Sequence, residues 1–293
     1  MEFEWQHHGD AVSMKHFLTT HGISMRLIKA VKHGDGQFIV NQQVQTGVIT
    51  VQAGDVAGIR LPDEAADPSV TISEQPITVI YEDANWLVVN KPAGLTSVPG
   101  PSNRTDTLVN RVKGYLVAHQ APNQKPHLIT RLDRDTSGLV LVAKHRVAQS
   151  MTTWAPMAAT IKKTYLAWVT GQLTPASGTI DAPIGQVDAQ PRRVVTDSGQ
   201  KAVTKYWVQT TYPTATQVKL QLVTGRTHQI RVHLTHLGHP LLGDALYGGP
   251  MALIKRQALH AATLQLTDPF TGHDFSWQAP LPADLTQLVN QLK

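Results

Sequence analysis

Cysteine is absent from the 293 residues of the chain. Disulfides, thiolate nucleophiles and cysteine-based zinc or iron–sulfur sites are therefore excluded, and the composition fits a reducing compartment. The first residues, Met1 to Trp5, lack the basic segment and apolar run of a secretory signal. No apolar run approaches the ~20 residues that a membrane span needs. We therefore expect a cytoplasmic protein with no membrane partner.

A strong charge imbalance is also missing. The formal net charge is +5, the sequence pI is about 9.4, and 41% of the residues are hydrophobic. This modest basic excess permits a nucleic-acid partner through phosphate contacts and disfavours an acidic carrier. The length suits one large domain or two domains with a substantial core.

Residues 11–62 have the pattern of a small separate unit with two short helices followed by short strands. Ser24 is a plausible cap for the second helix, which carries Arg26, Lys29 and Lys32 at a spacing of three. These three side chains form one basic stripe, which is either an ordinary solvated face or a contact surface for RNA.

The two helices around 22–24, the basic second helix, residues 38–41 and the turn at 54–55 resemble the RNA-binding module called the alpha-L domain. The resemblance covers most of 11–62. It implies that Arg26, Lys29 and Lys32 contact RNA. The helix end at 33–36 departs from the usual pattern of that module.

Residues 63–76 are acidic, contain two prolines and are predicted to be a linker. Residues 77–293 are rich in predicted strands with few helices between them. This pattern predicts an α+β domain on a mixed or antiparallel sheet.

The densest group of charges lies in residues 127–144. Arg131, Asp133, Arg134 and Asp135 precede a turn at 136–138 and an apolar strand, Leu139–Ala143. The group is either a solvated turn with surface ion pairs or part of a site, because burying unpaired charges is costly. If the segment is extended, Asp133 and Asp135 could share one face.

The run Asp135–Gly138 also imitates the signature of aspartic proteases, whose chemistry needs two carboxylates sharing a proton. The chain holds one copy, so only a symmetric dimer could supply the second carboxylate. An aspartic hydrolase therefore remains an alternative, which a carboxyl-protease inhibitor would reveal.

Four histidines in residues 222–249 raise the possibility of zinc: His228, His233, His236 and His239. None of their spacings is the i, i+4 pair that places two ligands on one helix face. We therefore favour structural roles and expect no metal. Arg226, just ahead of a predicted helix over 227–237, could face an anion or pair with a distant carboxylate, for which Asp133 is a candidate.

Together, several ordered blocks of the sequence resemble the RluA-type pseudouridine synthase family over about 77–293. They are Tyr81–Asp83 with Val89–Gly94, Arg131–Gly138, Lys163–Tyr165 with Gly171, Thr224–His233 with Leu237–Asp244, and Arg256–Ala261. Many members have histidine where this chain has Thr130. An alpha-L module ahead of the catalytic domain is common in the family.

This resemblance implies a pseudouridine synthase fold and isomerisation of uridine in structured RNA. Asp133 would be the catalytic aspartate, paired with Arg226. Tyr165 would lie against the uracil ring and assist proton removal, and Arg131 would help to open the RNA. No cofactor is expected. Large-subunit ribosomal RNA is the favoured substrate and transfer RNA the second, with the protein acting as a monomer.

A non-catalytic RNA-binding protein is the alternative from another class. In that protein the change Asp133→Asn would alter nothing measurable, which separates it from an enzyme that depends on this carboxylate.

Overall fold

A computed structural model describes residues 1–101, 103–186 and 192–293 of the chain. No helix within these ranges is long and apolar enough to cross a lipid bilayer. The chain forms a small N-terminal unit and a larger unit built on one extended sheet.

The N-terminal unit contains two short helices and a four-stranded antiparallel sheet of order β1-β6-β3-β4. Side chains of Ser13 and Ser24 cap the two helices by accepting hydrogen bonds from backbone N–H groups. The first strand lies before the predicted boundary at residue 11. The elements are β1 Glu2–Gln6, β2 Val12–Ser13, α1 Met14–Thr20, α2 Met25–Ala30, a π-helical turn Val31–Asp35, β3 Gln37–Val40, β4 Gln43–Gln45, β5 Thr50–Val51 and β6 Val56–Arg60.

The larger unit alternates strands with a few helices, as the sequence predicts. Its elements are β7 Thr78–Glu82, β8 Trp86–Lys91, α3 Leu108–Ala118, β9 His127–Leu128, β10 Ser137–Ala143, α4 Arg146–Thr153, α5 Ala155–Ala158, β11 Lys162–Thr170, β12 Ser177–Asp181, β13 Ile184–Gln186, β14 Arg193–Val195, β15 Val203–Thr211, β16 Ala215–Leu222, α6 Gln229–His236, a 3₁₀ helix Ala245–Tyr247, β17 Leu259–Thr267, β18 Asp274–Gln278 and α7 Ala283–Leu292.

In the described residues the large sheet has the order β12-β15-β16-β11-β17-β10-β8-β7, with β18 beside β17 and β9 beside β10. Its neighbouring strands are antiparallel except for β10 and β17, which run parallel at Ser137–His260 and Gly138–Ala261. The predicted mixed, mainly antiparallel sheet is therefore confirmed. The parallel pair brings the charged segment before β10 next to the segment before β17.

Strand β10 is buried along its whole length, because apolar clusters cover both faces of this sheet. Val140 and Val142 pack in one cluster with residues of α3 and α6, whereas Leu139 and Leu141 pack in another with Trp86. This explains the continuous apolar run predicted to be a strand, since a strand covered on both faces does not alternate with polar residues.

Helix α7 closes a third cluster around Trp168. The sequence predicts Asp284 or Thr286 as its cap, but the residue before the helix is Pro282. Asp284 instead lies in the first turn and forms an ion pair with Arg256 at 2.6 Å. The prediction of a cap at Asp284 or Thr286 is therefore wrong. The helix begins directly after Pro282, and the Asp284 carboxylate pairs with Arg256.

The N-terminal unit packs directly on α4 of the larger unit. Val147 and Met151 belong to the same apolar cluster as the buried residues of the N-terminal unit. The Ser150 hydroxyl accepts a hydrogen bond from the Ser24 N–H at 2.6 Å and donates one to the Gly22 carbonyl at 3.2 Å. These contacts hold the basic second helix in a fixed position on the larger unit.

The predicted linker is likewise fixed to the larger unit. The Glu64 carboxylate lies 2.9 Å from the His127 ring and accepts a hydrogen bond from the Arg146 N–H at 2.7 Å. Lys113 of α3 donates to the Asp67 carbonyl at 2.7 Å. The segment has an irregular backbone, but buried polar contacts anchor it at several points.

Glu64→Gln should lower the free energy of unfolding by about 1–3 kcal/mol, since a charged hydrogen-bond acceptor is lost from a buried site. Burial raises the pKa of Glu64, but hydrogen bonds from His127 and Arg146 bring it below the ordinary 4.5. The stabilisation is therefore present above pH 4.5 and lost as pH falls through the lowered value. Urea denaturation at several pH values checks this.

Glu74→Gln is the matched control, because Glu74 is an exposed carboxylate of the same segment. Equal stability of the two variants at pH 7 would show that the Glu64 contacts do not anchor the segment.

Candidate active site

A cavity of about 390 Å³ opens between the segment before β10 and the start of α6. Asp133 lies in its wall with its side chain 25% exposed. Arg131, Tyr165 and Arg226, the other predicted site residues of the larger unit, line the same cavity. The structure thus brings together residues from three distant parts of the sequence.

Side chains from elsewhere hold the backbone around Asp133. Ser97 donates to the Leu132 carbonyl at 2.6 Å and Lys91 donates to the Arg134 carbonyl at 2.9 Å. Arg256 donates to the Asp135 carbonyl at 3.1 Å. Because these carbonyls lie outside any helix or sheet, side-chain donors are needed to satisfy them and to fix the loop. We call this segment, residues 130–136, the Asp133 loop.

Lys91 is 1% exposed, and its ammonium donates to three carbonyls: Pro92, Leu95 and Arg134. Burial lowers the pKa of Lys91 to about 7, against the opposing charges of Asp133 and Asp135. An ammonium group has three N–H donors, so each donor finds one acceptor here. Lys91 therefore joins the loop after β8 to the Asp133 loop.

Gly138 sets how closely the Asp133 loop approaches β17. Its φ is +114°, and a Cβ at this position would lie 2.2 Å from the Ala261 carbonyl oxygen. Any other residue would push the two strands apart at their parallel pairing. The glycine in the predicted turn is thus required by a tertiary contact.

The Asp133 carboxylate accepts a hydrogen bond from Arg231 at 3.3 Å. The same guanidinium forms two shorter bonds, of 2.7 and 2.8 Å, with Asp244, which is 1% exposed. It also lies over the Tyr247 ring at 4.9 Å. The bidentate pair with Asp244 fixes the orientation of Arg231, and a remaining N–H points at Asp133.

The predicted pairing of Arg226 with Asp133 is therefore wrong. Arg226 is exposed and precedes α6, where its side chain donates to the Lys201 carbonyl at 3.1 Å. Arg231 lies five residues later, on the buried face of α6. The helix turns Arg231 towards the cavity floor and leaves Arg226 at the rim.

Gln229 fixes the turn that leads into α6. Its side-chain oxygen accepts from the Arg226 N–H and the Thr224 hydroxyl, and its amide donates to Val203 and Thr204. His228, the residue before the helix, has a left-handed backbone with φ +58°. The buried glutamine therefore joins the helix start to β15.

Tyr165 is 5% exposed and lines the cavity from β11. Burial, together with the charge of Asp133, raises the pKa of its hydroxyl. The side chain therefore stays protonated at neutral pH and presents an uncharged aromatic surface beside the carboxylate.

The four histidines of this region do not converge. His233 bonds to Thr204 and the Ala182 carbonyl, His239 bonds to the Thr170 carbonyl, and His228 lies 3.0 Å from the Tyr247 hydroxyl. Within the ranges that the structure describes, no group of three or more potential ligands could hold a metal ion. These contacts match the structural roles favoured by the sequence.

Asp135 does not share the cavity with Asp133. The Thr136 N–H bonds to the Asp133 carbonyl at 3.1 Å and turns the chain, so that Asp135 pairs with Arg134 at 3.0 Å. Among the described cavity-lining residues, Asp133 is the one carboxylate. The pair of carboxylates that an aspartic hydrolase needs is therefore missing from this cavity.

Sequence reasoning missed several residues that build the site: Lys91, Ser97, Gln229, Arg231, Asp244, Tyr247 and Arg256. Arg231 and Asp244 lie within the sequence blocks that resemble the RluA-type family. These blocks could therefore have suggested Arg231 as a second arginine of the site. Ser97 carries no sequence signal, because only tertiary folding shows what its hydroxyl contacts.

Comparisons with known proteins agree on one family. The family model described as RNA pseudouridylate synthase matches residues 85–236. The uncharacterized RNA pseudouridine synthase YjbO of Bacillus subtilis (strain 168) is 40% identical over 281 residues, which cover 95% of this chain and 98% of that protein. Ribosomal large subunit pseudouridine synthase D of Xanthomonas campestris is 36% identical over 286 residues, covering 92% and 84%.

Among solved structures, human RNA pseudouridylate synthase domain containing 4 is similar in fold. Its TM-score is 0.60 and its sequence identity 23%, and the match covers 73% of this chain and 92% of the human one. This likeness supports the predicted pseudouridine synthase fold.

Lys91→Met should lower the free energy of unfolding by about 2–4 kcal/mol, because carbonyls of two loops lose the charged donor that they share. Lys162→Met is the control, since Lys162 is exposed on β11. Urea denaturation of both variants at pH 7 measures the difference. Wild-type stability of the Lys91 variant would contradict its role in joining the loops.

Proposed function

The chain belongs to the RNA pseudouridine synthase family, and from this membership we propose that Asp133 is its catalytic carboxylate and ribosomal RNA its substrate. The observation that carries the assignment is the position of Asp133. It is the one carboxylate among the described residues of a cavity whose floor holds a fixed guanidinium. An enzyme of this family isomerises uridine to pseudouridine in RNA.

The reaction breaks the bond between ribose C1′ and uracil N1 and joins C1′ to uracil C5, whose proton leaves. No electrons are gained or lost overall. An ionised carboxylate beside the sugar can act as nucleophile at C1′ or as base at the neighbouring ribose position. The position of Asp133 supports either proposed role, since it lines a cavity large enough for one nucleoside.

Arg231 supports this chemistry by facing Asp133 with a positive charge. The guanidinium donates a hydrogen bond to the carboxylate at 3.3 Å and so fixes its orientation. Because Asp244 holds the guanidinium from the opposite side, Arg231 cannot swing away when RNA enters. Arg231 and Asp244 therefore act as positioning residues for Asp133.

Tyr165 offers an aromatic surface for the uracil ring while the ring turns. Base stacking on aromatic side chains is favourable by about 1–3 kcal/mol. Its raised pKa keeps the hydroxyl protonated at neutral pH, so the phenolate that could accept a proton is scarce. We therefore favour the stacking role over the assistance in proton removal that the sequence resemblance implied.

The proposed substrate is large-subunit ribosomal RNA. Support comes from relatives named ribosomal large subunit pseudouridine synthase D, such as the one of Pseudomonas aeruginosa, 40% identical over 232 residues. A ribosomal target also implies that the protein acts in the cytoplasm. Transfer RNA is the second candidate. Mapping pseudouridines in both RNAs from cells with and without the gene separates the two.

We further propose that the N-terminal unit binds RNA through Arg26, Lys29 and Lys32. All three side chains are exposed, Arg26 and Lys29 on α2 and Lys32 on the π-helical turn that follows, whereas Leu27 and Ile28 form the buried face of α2. The basic stripe is therefore available to phosphates. Its fixed attachment to α4 would hold bound RNA at a constant distance from the cavity.

Asp133→Asn should reduce pseudouridine formation by about 10³-fold or more, which corresponds to about 4 kcal/mol of barrier. The amide keeps the shape but cannot serve as nucleophile or base. Asp135→Asn should keep most of the activity, because Asp135 pairs with Arg134 outside the cavity. Single-turnover assays measure both. Activity in a clean Asp133→Asn preparation would end the assignment.

Arg231→Lys should lose about 10²-fold in activity, because lysine lacks the planar fork that binds Asp244 and Asp133 together. Arg226→Ala should lose less than about tenfold, since its side chain contacts only a backbone carbonyl in the described residues. The reverse order of the two effects would restore the pairing predicted from sequence.

Replacing Arg26, Lys29 and Lys32 together by alanine should weaken RNA binding and lower the slope of log affinity against log salt by about 2–3. The charge-matched control replaces Lys205, Lys219 and Lys293, which are exposed in the larger unit. Filter binding over a range of salt concentrations compares the two variants. Equal slopes would remove the N-terminal unit from the binding site.

A further inference from the structure

A second cavity, of about 280 Å³, adjoins the cavity that holds Asp133. The two share five lining residues, so they meet along a common wall: Ile129, Thr130, Lys163, Leu222 and Gly225. We call this space the adjoining cavity. The described residues that line it do not include Asp133, Tyr165 or Arg231.

The wall between the cavities carries one cation, Lys163 of β11. It lies two residues before Tyr165, and alternate residues of a strand face the same side. Lys163 is partly buried, and burial lowers the pKa of its ammonium. Within the described parts of the chain, it has no hydrogen bond and no carboxylate partner.

Other lysines that lie in the protein are satisfied internally. Lys91 donates to three carbonyls, Lys113 donates to the carbonyls of Asp67 and Val70, and Lys144 pairs with Glu82 at 2.7 Å. A partly buried cation without a partner has a free-energy cost in the empty protein. An anion that enters with the substrate would remove this cost.

Gly225 leaves the Lys163 ammonium open on the side of the turn before α6. A Cβ at this glycine would lie 3.4 Å from Nζ, so any longer side chain would occupy the approach to the ammonium. Gly225 is not one of the glycines whose backbone has a positive φ. The absence of a side chain therefore matters here for space and not for backbone conformation.

The lining of the adjoining cavity suits a nucleobase. It combines an apolar surface with hydroxyl and amide groups and contains no acidic residue among the described lining residues. The apolar members are Leu128, Ile129, Ile161, Leu222 and Val223, and the polar ones include Thr130, Gln149, Thr152 and Thr224. Its volume is at the lower end of ligand pockets, enough for one base but not for a helix.

We propose that the adjoining cavity receives the nucleotide next to the target uridine in the same RNA strand, and that Lys163 binds the phosphodiester between the two. The inference rests on the proposed function. With the target ribose at Asp133, the backbone leaving that ribose must pass along a cavity wall. The wall at Lys163 leads into a space of the right size and offers the charge that a phosphate needs.

Lys163→Met should weaken binding of the RNA by about 10- to 100-fold, the usual range for a charge-assisted hydrogen bond. It should also lower the slope of log affinity against log salt by about 0.7–0.9, as expected for one phosphate contact. The rate of pseudouridine formation at saturating RNA should stay within a few-fold of wild type. Lys163→Arg should recover most of the binding.

Lys162→Met is the matched control, because Lys162 is adjacent on β11 but exposed, and its side chain faces the other way. It should leave affinity and salt slope unchanged. If Lys163→Met does not fold, Val223→Glu tests the same cavity, since Val223 is 58% exposed and lines it. Its carboxylate should repel the phosphate, whereas Val223→Gln should bind nearly as wild type.

A chemical change in the RNA identifies the contact directly. The probe is a synthetic stem-loop around the uridine mapped in cells, with a neutral methylphosphonate replacing the phosphate on either its 5′ or its 3′ side. One of the two replacements should weaken wild-type binding as much as Lys163→Met does. The same replacement should then have no further effect on the Lys163→Met variant.

The inference would be overturned if each methylphosphonate replacement weakened RNA binding of the Lys163→Met variant as much as it weakens binding of the wild type. A second contrary outcome is a Lys163→Met variant with wild-type affinity and salt slope but a lower maximal rate and a shifted pH profile of that rate. That result would give Lys163 a role in the chemical step. If wild-type protein forms no pseudouridine in any RNA tested, the proposed function itself fails, and the inference fails with it.

Discussion

The site depends on one buried guanidinium held between two carboxylates. Asp244 binds Arg231 through two short hydrogen bonds and is almost fully buried, whereas Asp133 accepts one longer bond and stays partly open to the cavity. Breaking a buried pair of this kind leaves an uncompensated charge, at a cost of about 3–5 kcal/mol. Helix α6, the 3₁₀ helix after it and the Asp133 loop must therefore assemble together, and each fixes the others.

The Asp133 loop has no regular secondary structure, yet its position is well determined. Side chains of Ser97, Lys91 and Arg256 bind three of its carbonyls, and each comes from a different segment. Gly138 allows the following strand to approach β17 closely. The carboxylate of Asp133 thus sits on a rigid support, as the proposed catalytic role would require, because electrostatic catalysis works through groups that do not reorganise.

The positively charged side chains fall into two groups, one that stabilises the fold and one that is available to bind a ligand. Buried lysines such as Lys91 and Lys113 bind backbone carbonyls and serve the fold. Lys163 has no partner among the described residues and faces the space beside the cavity, and Arg26, Lys29 and Lys32 project from the N-terminal unit. The modest net charge of +5 therefore understates how much cationic surface is left for a polyanion.

The sequence by itself determined the strand at 139–143, the helix near 227–237 and the mixed sheet, and it singled out Asp133 as the candidate carboxylate, because apolar periodicity and motif order depend on local spacing. It missed edge strands such as Ser177–Asp181, which bury too little to show a clear pattern. Only the tertiary structure decided that Arg231 and not Arg226 faces Asp133, across 98 positions of sequence. Which arginine points inward depends on how the first turn of α6 packs on β15, and that packing is set by contacts from distant parts of the chain.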